Sequence, residues 1–482
     1  MALTRRSTLG LAASAGAGAV LGTAARTRPA SAAAADYVIR HDQPRQTIWG
    51  LGVELQFDSI GSGNNGLPEA TTSVPHDLVA EERTRLYRDM LKVRPDRGFR
   101  YCRLALGLYL RGLTADRKNI VGRWPEQMAE IRELIQQSGI EGVAAEYWSP
   151  APGWKSTNSY IGGTLASTTP AALDQFGDAL VRDIEYLEAN GIPVKMWGLQ
   201  NEPHLTNLAY SACGYSNEQY YAAFKVAAGK IRARRPDIHI HADSNAGQNG
   251  RGGALIRADA TALSYVDGWS WHRIGADSNE QLTAGAFTGN AAGKAVYNNE
   301  FEYLSGGTSD WRMINTAQSI MNWMTFQNSP TWFWLHALKP TYNTEAAGYS
   351  LGFWRPYDDN DFTKYANIAK GHWDYNRQNW HAVAGFVQYL PWNSVRHQVD
   401  EGTVRQDQRI MAWKTPQGKL VFALTNRGAA SVSYTVDTGS ARAFHGQQYT
   451  PSQYNAGLGD KTGPVLAVTL PPKSIQFWIE KV

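Results

Sequence analysis

Cysteine is almost missing from this chain, with only Cys102 and Cys213 in 482 residues. That excludes a small disulfide-built scaffold. A basic surplus is missing too. The formal charge is +4, but Arg5, Arg6, Arg26 and Arg28 are the only charged side chains before Asp36, and setting those four aside from the 47 Lys and Arg leaves 43 against 43 Asp and Glu. A neutral body lacks the sustained positive surface that nucleic acid or an anionic membrane requires, so neither is an expected partner. No stretch approaches the eighteen apolar residues of a membrane span. There is no GxSxG nucleophile elbow, no Gly-rich phosphate loop after a candidate strand, no internal repeat and no low-complexity linker. What the chain does have is apolar and aromatic material: 43% hydrophobic residues, 17 Trp, 23 Tyr and 14 Phe, enough for a large core and more than one domain.

Residues 1–32 read as an export signal. Paired Arg5 and Arg6 precede a mild Ala/Gly-rich apolar stretch, and Ala30-Ser31-Ala32 is an A-x-A cleavage site. Paired arginines before so mild a segment point to twin-arginine export, with the ordinary secretory route as the alternative. A secreted, extracellular protein is expected, and buried free thiols rather than a Cys102–Cys213 bridge.

From about residue 45 to 392 short apolar runs alternate with amphipathic segments. TIWGLGVEL, FRYCRLAL, GVAAEYWS, VKMWGL, IHIHA, DGWSWH, KAVYNN and TWFWL are eight candidate strands, separated by helices such as PAALDQFGDALVRDIEYLEANG. Eight parallel strands with crossover helices predict a (β/α)8 TIM barrel; a doubly wound open sheet is the alternative. After Leu390 the period changes to two. SVRHQV, RIMAWKT, KLVFALTN, SVSYTVDT, ARAFHGQQYT and VLAVTLPPKSIQFWIEK predict an antiparallel β-sandwich over 393–482, to which YVIR within 36–44 is a candidate addition.

In such a barrel the chemistry belongs at the carboxyl ends of the strands. Strand four ends in VKMWGLQNEP, placing Asn201 and Glu202 at the rim, and strand seven ends in KAVYNNEFEY, placing Glu300 there. Two rim carboxyls facing each other across the mouth are what glycoside hydrolysis needs. One must stay protonated until the bond breaks, and the other must stay ionised to attack the anomeric carbon. Glu300 and partial burial are expected to raise the Glu202 pKa, and Arg103 is expected to keep Glu300 ionised or else to be a buried structural ion pair. Trp148 and Trp334, at the last positions of strands three and eight, are the aromatics best placed to stack on a sugar; Trp154, Trp271 and Phe333 are weaker candidates. His272 is a rim imidazole or an ordinary core histidine.

These motifs resemble those of the clan A glycoside hydrolases, most closely family 30. The resemblance runs from about Trp49 to Val482. It rests on Trp148-Ser149-Pro150 with Trp154 and Asn158, on GLQNEP, on the strand-seven glutamate, on Arg103 in YCRLALG, and on the closing LPPKSIQFW. It implies Glu202 as acid/base, Asn201 on the sugar 2-hydroxyl, Glu300 as nucleophile and Arg103 beneath the pair. It also implies a β-linked glucan, galactan or xylan, or a short β-glycoside, as substrate. Two departures stand out. The family's strand-six H-x-Y reads His272-Arg273-Ile274 here, and strand one reads GLGVELQFD, so Glu54, Gln56 or Asp58 takes the sugar-holding task.

The expected protein is therefore a monomeric retaining β-glycoside hydrolase with no cofactor and no metal. Two rivals remain. One is a non-catalytic carbohydrate-binding protein on the same fold. The other is a metal-dependent hydrolase using the H-x-H pair His239 and His241, which has only Asp243 as a nearby acid.

Overall fold

Alternation along the chain decides the architecture. In the computed structural model, residues 35–481 are described, except 56–77, 207–209, 246–251, 284, 286, 304–310, 342–349, 358 and 361–363. The predicted export signal and the candidates Gln56 and Asp58 lie outside the described residues.

All eight candidate barrel strands form. They are Gly50–Glu54, Phe99–Leu106, Gly142–Tyr147, Val194–Gly198, His239–Asn245, Gly268–His272, Ala295–Phe301 and Thr331–Trp334, called strands one to eight below, and they close in sequence order into a parallel barrel. Helices with explicit stop and start signals connect them. Thr169 caps Pro170–Ala189 with Pro170 in its first turn, Ser216 and Gln219 form a capping box on Asn217–Arg234, and Gly139 ends Gln127–Ser138 in a left-handed turn. Among the described residues, no helix is long and apolar enough to cross a membrane.

The second unit is a seven-stranded, mostly antiparallel sheet in the order Tyr37–Ile48, Ser394–Glu401, Gln408–Lys414, Leu420–Asn426, Ser474–Glu480, Val432–Tyr449, Ala456–Leu470. Its first strand pairs back onto Val432–Tyr449. That first strand runs to Ile48, so residues 45–48, assigned above to the barrel, lie in this sheet. SVSYTVDT and ARAFHGQQYT, read as two strands, are one long strand with an irregularity between Asp437 and Arg442. Its partner Ala456–Leu470 is largely exposed over its first ten residues, which carry Gly, Asp and Pro and therefore show no apolar alternation.

Both faces of this sheet are covered. Ile410, Phe422, Leu424, Phe444 and Trp478 fill its own interior, while Met411, Trp413, Val421, Ala423, Ile475 and Phe477 join the barrel core. Against that second face lie the helices Trp311–Phe326 and Arg377–Tyr389. The approach is close: a β-carbon on Gly385 would fall 2.1 Å from the Phe477 ring. Deleting Ser394–Val482 should therefore strip the cover from Ile320, Trp323, Phe386 and their neighbours and give insoluble protein. A soluble, fully active truncation in a sedimentation assay would contradict this.

Candidate active site

Inward-pointing residues stack in two layers inside the barrel. The lower layer is apolar: Tyr101, Ala144, Met196, Tyr297 and Phe333, with Gly52 leaving room for the Phe333 ring. The layer above it is charged. From strands one, two, three, five and seven come Glu54, Arg103, Glu146, His241, Asn299 and Glu300, all at most 6% exposed. Strand four contributes Gly198, where a β-carbon would meet His241 Nε2 at 2.2 Å.

Buried carboxylates need compensation, and Arg103 supplies most of it. Its Nε and NH2 donate to Glu146 Oε2 at 2.9 and 2.5 Å, its NH1 to Glu300 Oε2 at 2.5 Å and to Glu54 Oε2 at 3.5 Å, and its NH2 to Asn201 Oδ1 at 2.8 Å. The guanidinium lies 4.4 Å over the Trp148 ring. Burial pushes Glu146 up, but Arg103, His241 and His272 outweigh it and hold the carboxyl well below its ordinary value. Glu54 goes the other way, because burial dominates the pull of Arg103 and Glu300 adds to the rise.

Two backbone irregularities aim the candidate catalytic groups. On strand seven Tyr297 and Asn299 face inward while Val296 and Phe301 face the helices, so strict alternation would turn Glu300 outward. A register shift between Asn298 and Glu300 inserts one residue, and both Asn299 and Glu300 face the interior. Asn298 Oδ1 steadies the shift by accepting from the Glu300 amide at 3.1 Å. On strand five a shift between Ala242 and Asn245, with Asp243 at φ 64°, turns Ser244 inward. Glu202 itself has φ 44°, a left-handed conformation that costs a residue with a β-carbon about 1–3 kcal/mol. Its amide donates to Ser244 O at 2.8 Å, which locks the sharp exit from strand four.

His272 stands between the two glutamates. Its Nδ1 is 3.1 Å from Glu202 Oε1, and its Nε2 is 2.9 Å from Ser244 Oγ and 3.5 Å from Glu300 Oε2. One carboxylate oxygen of Glu202, one of Glu300 and a His272 ring nitrogen all lie within 4.8 Å of one another. This changes the expected electrostatics. Burial does raise Glu202, but the hydrogen bond and charge of His272, with His204 and Arg103, overcome it and leave the carboxyl below its ordinary value. Burial lowers His272, and Glu300 and Glu202 more than reverse that. The expectation of a raised Glu202 pKa is thus corrected: the contact with His272 lowers the carboxyl and helps to raise the imidazole. Three such donors also resemble a metal site, but the Arg103 guanidinium already occupies Glu300 Oε2 and opposes a second cation there.

The cleft above this layer has a volume of about 270 Å³ and is lined by Glu54, Leu108, Tyr109, Trp148, Asn201, Glu202, Tyr210, Glu300, Leu335, His336 and Lys339. Five of the residues singled out in the sequence, Glu54, Trp148, Asn201, Glu202 and Glu300, meet there, with Arg103 and His272 supporting them. Because Arg103 can only donate, it fixes Asn201 with its oxygen inward and leaves the amide nitrogen for a ligand.

Trp334 does not belong to the site. It is fully buried on the outer face of strand eight, against Phe301, Tyr303 and Trp332, because Phe333 takes the inward direction. Trp271 likewise packs outward on Phe287, and Trp154 donates its indole to Lys118 O and packs on Phe176. His239 stacks on Trp49 at 4.4 Å and His241 bonds to Glu146 at 3.0 Å, so the H-x-H pair has no common centre. Cys102 and Cys213 are buried free thiols. Glu302, two residues beyond Glu300, is completely buried and bonded to His336 Nδ1 at 2.6 Å.

Glu146, Ser244, Asn299, His336 and Lys339 escaped the sequence reading. Glu146 left a signal: a lone carboxylate in GVAAEYWS, inward with Ala144, had to find a cation on a neighbouring strand, and Arg103 was the one available. Ser244 depends on the strand-five bulge, Asn299 sits between the equally polar Asn298 and Glu300, and His336 and Lys339 depend on the turn into a short sheet of Leu338–Pro340, Gly352–Trp354 and Trp373–Tyr375.

No protein-family model matches the chain, and no curated protein does. Solved structures do. A glycoside hydrolase family 30 endoxylanase from Clostridium papyrosolvens superposes with a TM-score of 0.66 at 18% identity, over 93% of this chain and 100% of that one. A conserved exported protein from Bacteroides fragilis gives 0.72 at 12%, over 92% and 99%. An endo-β1,6-glucanase gives 0.67 at 16%, over 92% and 94%. The chain thus has a glycoside hydrolase fold of the clan A, family 30 kind, a parallel eight-stranded barrel with an attached antiparallel sheet.

Proposed function

We propose that this protein is a secreted, monomeric retaining β-glycoside hydrolase, with Glu202 as acid/base and Glu300 as nucleophile. The observation that carries the reading is the separation of the two carboxylates. Oxygens of Glu202 and Glu300 lie within 4.8 Å, close to the roughly 5–5.5 Å of retaining enzymes and short of the roughly 6.5–9.5 Å that leaves room for an inverting water. Arg103 orients Glu300 Oε2 and balances its charge, so that the other oxygen can attack the anomeric carbon. As the bond breaks, the departing oxygen takes a proton from Glu202, which draws it from His272 Nδ1 along their hydrogen bond. A covalent glycosyl-enzyme results, and water then displaces Glu300 with Glu202 now acting as base. The Asn201 amide nitrogen, freed by the Arg103 contact, is placed to donate to the 2-hydroxyl, and the Trp148 ring lines the same cleft. The substrate class is a β-linked glucan, galactan or xylan, or a short β-glycoside.

The test is a panel of β-1,4- and β-1,6-linked oligosaccharides and aryl β-glycosides assayed with chelator present. Hydrolysis of at least one is expected. Tight binding of a sugar with no turnover on any member would favour the carbohydrate-binding alternative.

A further inference from the structure

We propose that Lys339 is a specificity-determining residue of the cleft, donating from its ammonium group to a hydroxyl, other than the 2-hydroxyl, of an uncharged glycone. The inference rests on reading the cleft as a glycosidase site. Lys339 lies on Leu338–Pro340, between two buried neighbours, and its side chain reaches the cleft that holds Glu202 and Glu300. Among the described residues its ammonium makes no hydrogen bond or ion pair. The side chain is half-buried, so the ammonium is not sealed in by packing and meets the cleft with its donors uncommitted. Its three N–H donors point to a ligand that brings acceptors of its own.

The surrounding charge selects the kind of ligand. Burial weakens the Lys339 ammonium, and the carboxyls of Glu302, Glu54 and Glu300, in that order, oppose the effect. Burial works against the charged form of Lys339, and Glu202 and Glu300 line the same cleft, so a uronate would meet carboxyls as well as the ammonium, whereas a neutral hydroxyl accepts a hydrogen bond without repulsion. Position narrows the hydroxyl. Lys339 interacts with the Glu54 and Glu302 side of the cleft, while Asn201, the candidate for the 2-hydroxyl, adjoins Glu202. The competing explanation is structural: Lys339 as counter-ion to Glu302, whose Oε1 is buried without a hydrogen-bond partner.

Lys339→Met and Lys339→Arg separate the two. The probes are 4-nitrophenyl β-D-glucoside, galactoside, xyloside and glucuronide, the monodeoxy analogues of the best of them, and the matching thioglycosides for calorimetric binding. For the best neutral probe, Lys339→Met should raise KM and the thioglycoside Kd by about 10- to 100-fold, with kcat moving less. One monodeoxy analogue should lose nothing further in the variant, which identifies the partner hydroxyl. The Tm should hold, since no hydrogen bond or ion pair among the described residues is removed. An equal loss on every analogue, a glucuronide preferred by the wild type, or a fall in Tm restored by Lys339→Arg would overturn the proposal. A wild type that hydrolyses neutral glycosides without this coupling refutes only the role of Lys339. One that binds thioglycosides with the coupling but turns nothing over refutes only the hydrolase reading.

Discussion

Replacing Glu300 with glycine should abolish turnover, by roughly four to six orders of magnitude, and added azide should restore it by forming a glycosyl azide of inverted anomeric configuration. The vacated side chain leaves a small space beside Arg103 NH1, which held Glu300 Oε2 at 2.5 Å and would attract the azide anion to the face the carboxylate occupied. Glu302→Gln is the control. That side chain is fully buried and bonded to His336 Nδ1, where a carboxamide nitrogen can donate in its place, so substantial activity should remain. Azide rescue of a Glu302 variant instead would move the nucleophile by two residues and break the account of the strand-seven bulge.

Glu202→Gln should cost roughly 10²- to 10⁴-fold on natural glycosides. It should spare much of the first step for aryl glycosides whose leaving groups need little protonation. The pH profile supplies a second signature. His272 has its pKa raised above the usual 6.5, with Glu300 and Glu202 overcoming burial. The proton shared with Glu202 is therefore held below that range and lost as pH rises through it. Wild-type kcat/KM on natural substrates should fall along a basic limb lying above 6.5. In the variant, assayed on activated aryl glycosides, that limb should vanish. Equal loss on both substrate types would remove Glu202 from the acid role.

How much of this was legible beforehand depends on the periodicity each residue obeys. The eight barrel strands are short apolar runs bounded by turn signals, so they could be read directly, as could the capped helices between them. Glu202 and Asn201 follow strand four in a motif that names its own position. Glu300 was found from its place at a strand end, yet the bulge that turns it inward leaves no mark in the alternation, because Asn298, Asn299 and Glu300 are all polar. Trp334 failed for the opposite reason. Trp332, Phe333 and Trp334 are all large and apolar, so nothing in the composition says that Phe333 points inward and Trp334 outward. The direction of the Glu202 shift was also out of reach, since it depends on His272 lying between two carboxyls from other strands. The exposed strand Ala456–Leu470 carries too little apolar residue in its first half to announce itself.

The central claim is that Glu202 and Glu300 stand close enough for double displacement, and the anomeric configuration of the first-formed product tests it most directly. Proton NMR during the first minutes of hydrolysis, before mutarotation intervenes, should show the β-anomer released from a β-glycoside. Initial release of the α-anomer would mean single displacement by water, and would contradict the assignment of Glu300 as nucleophile.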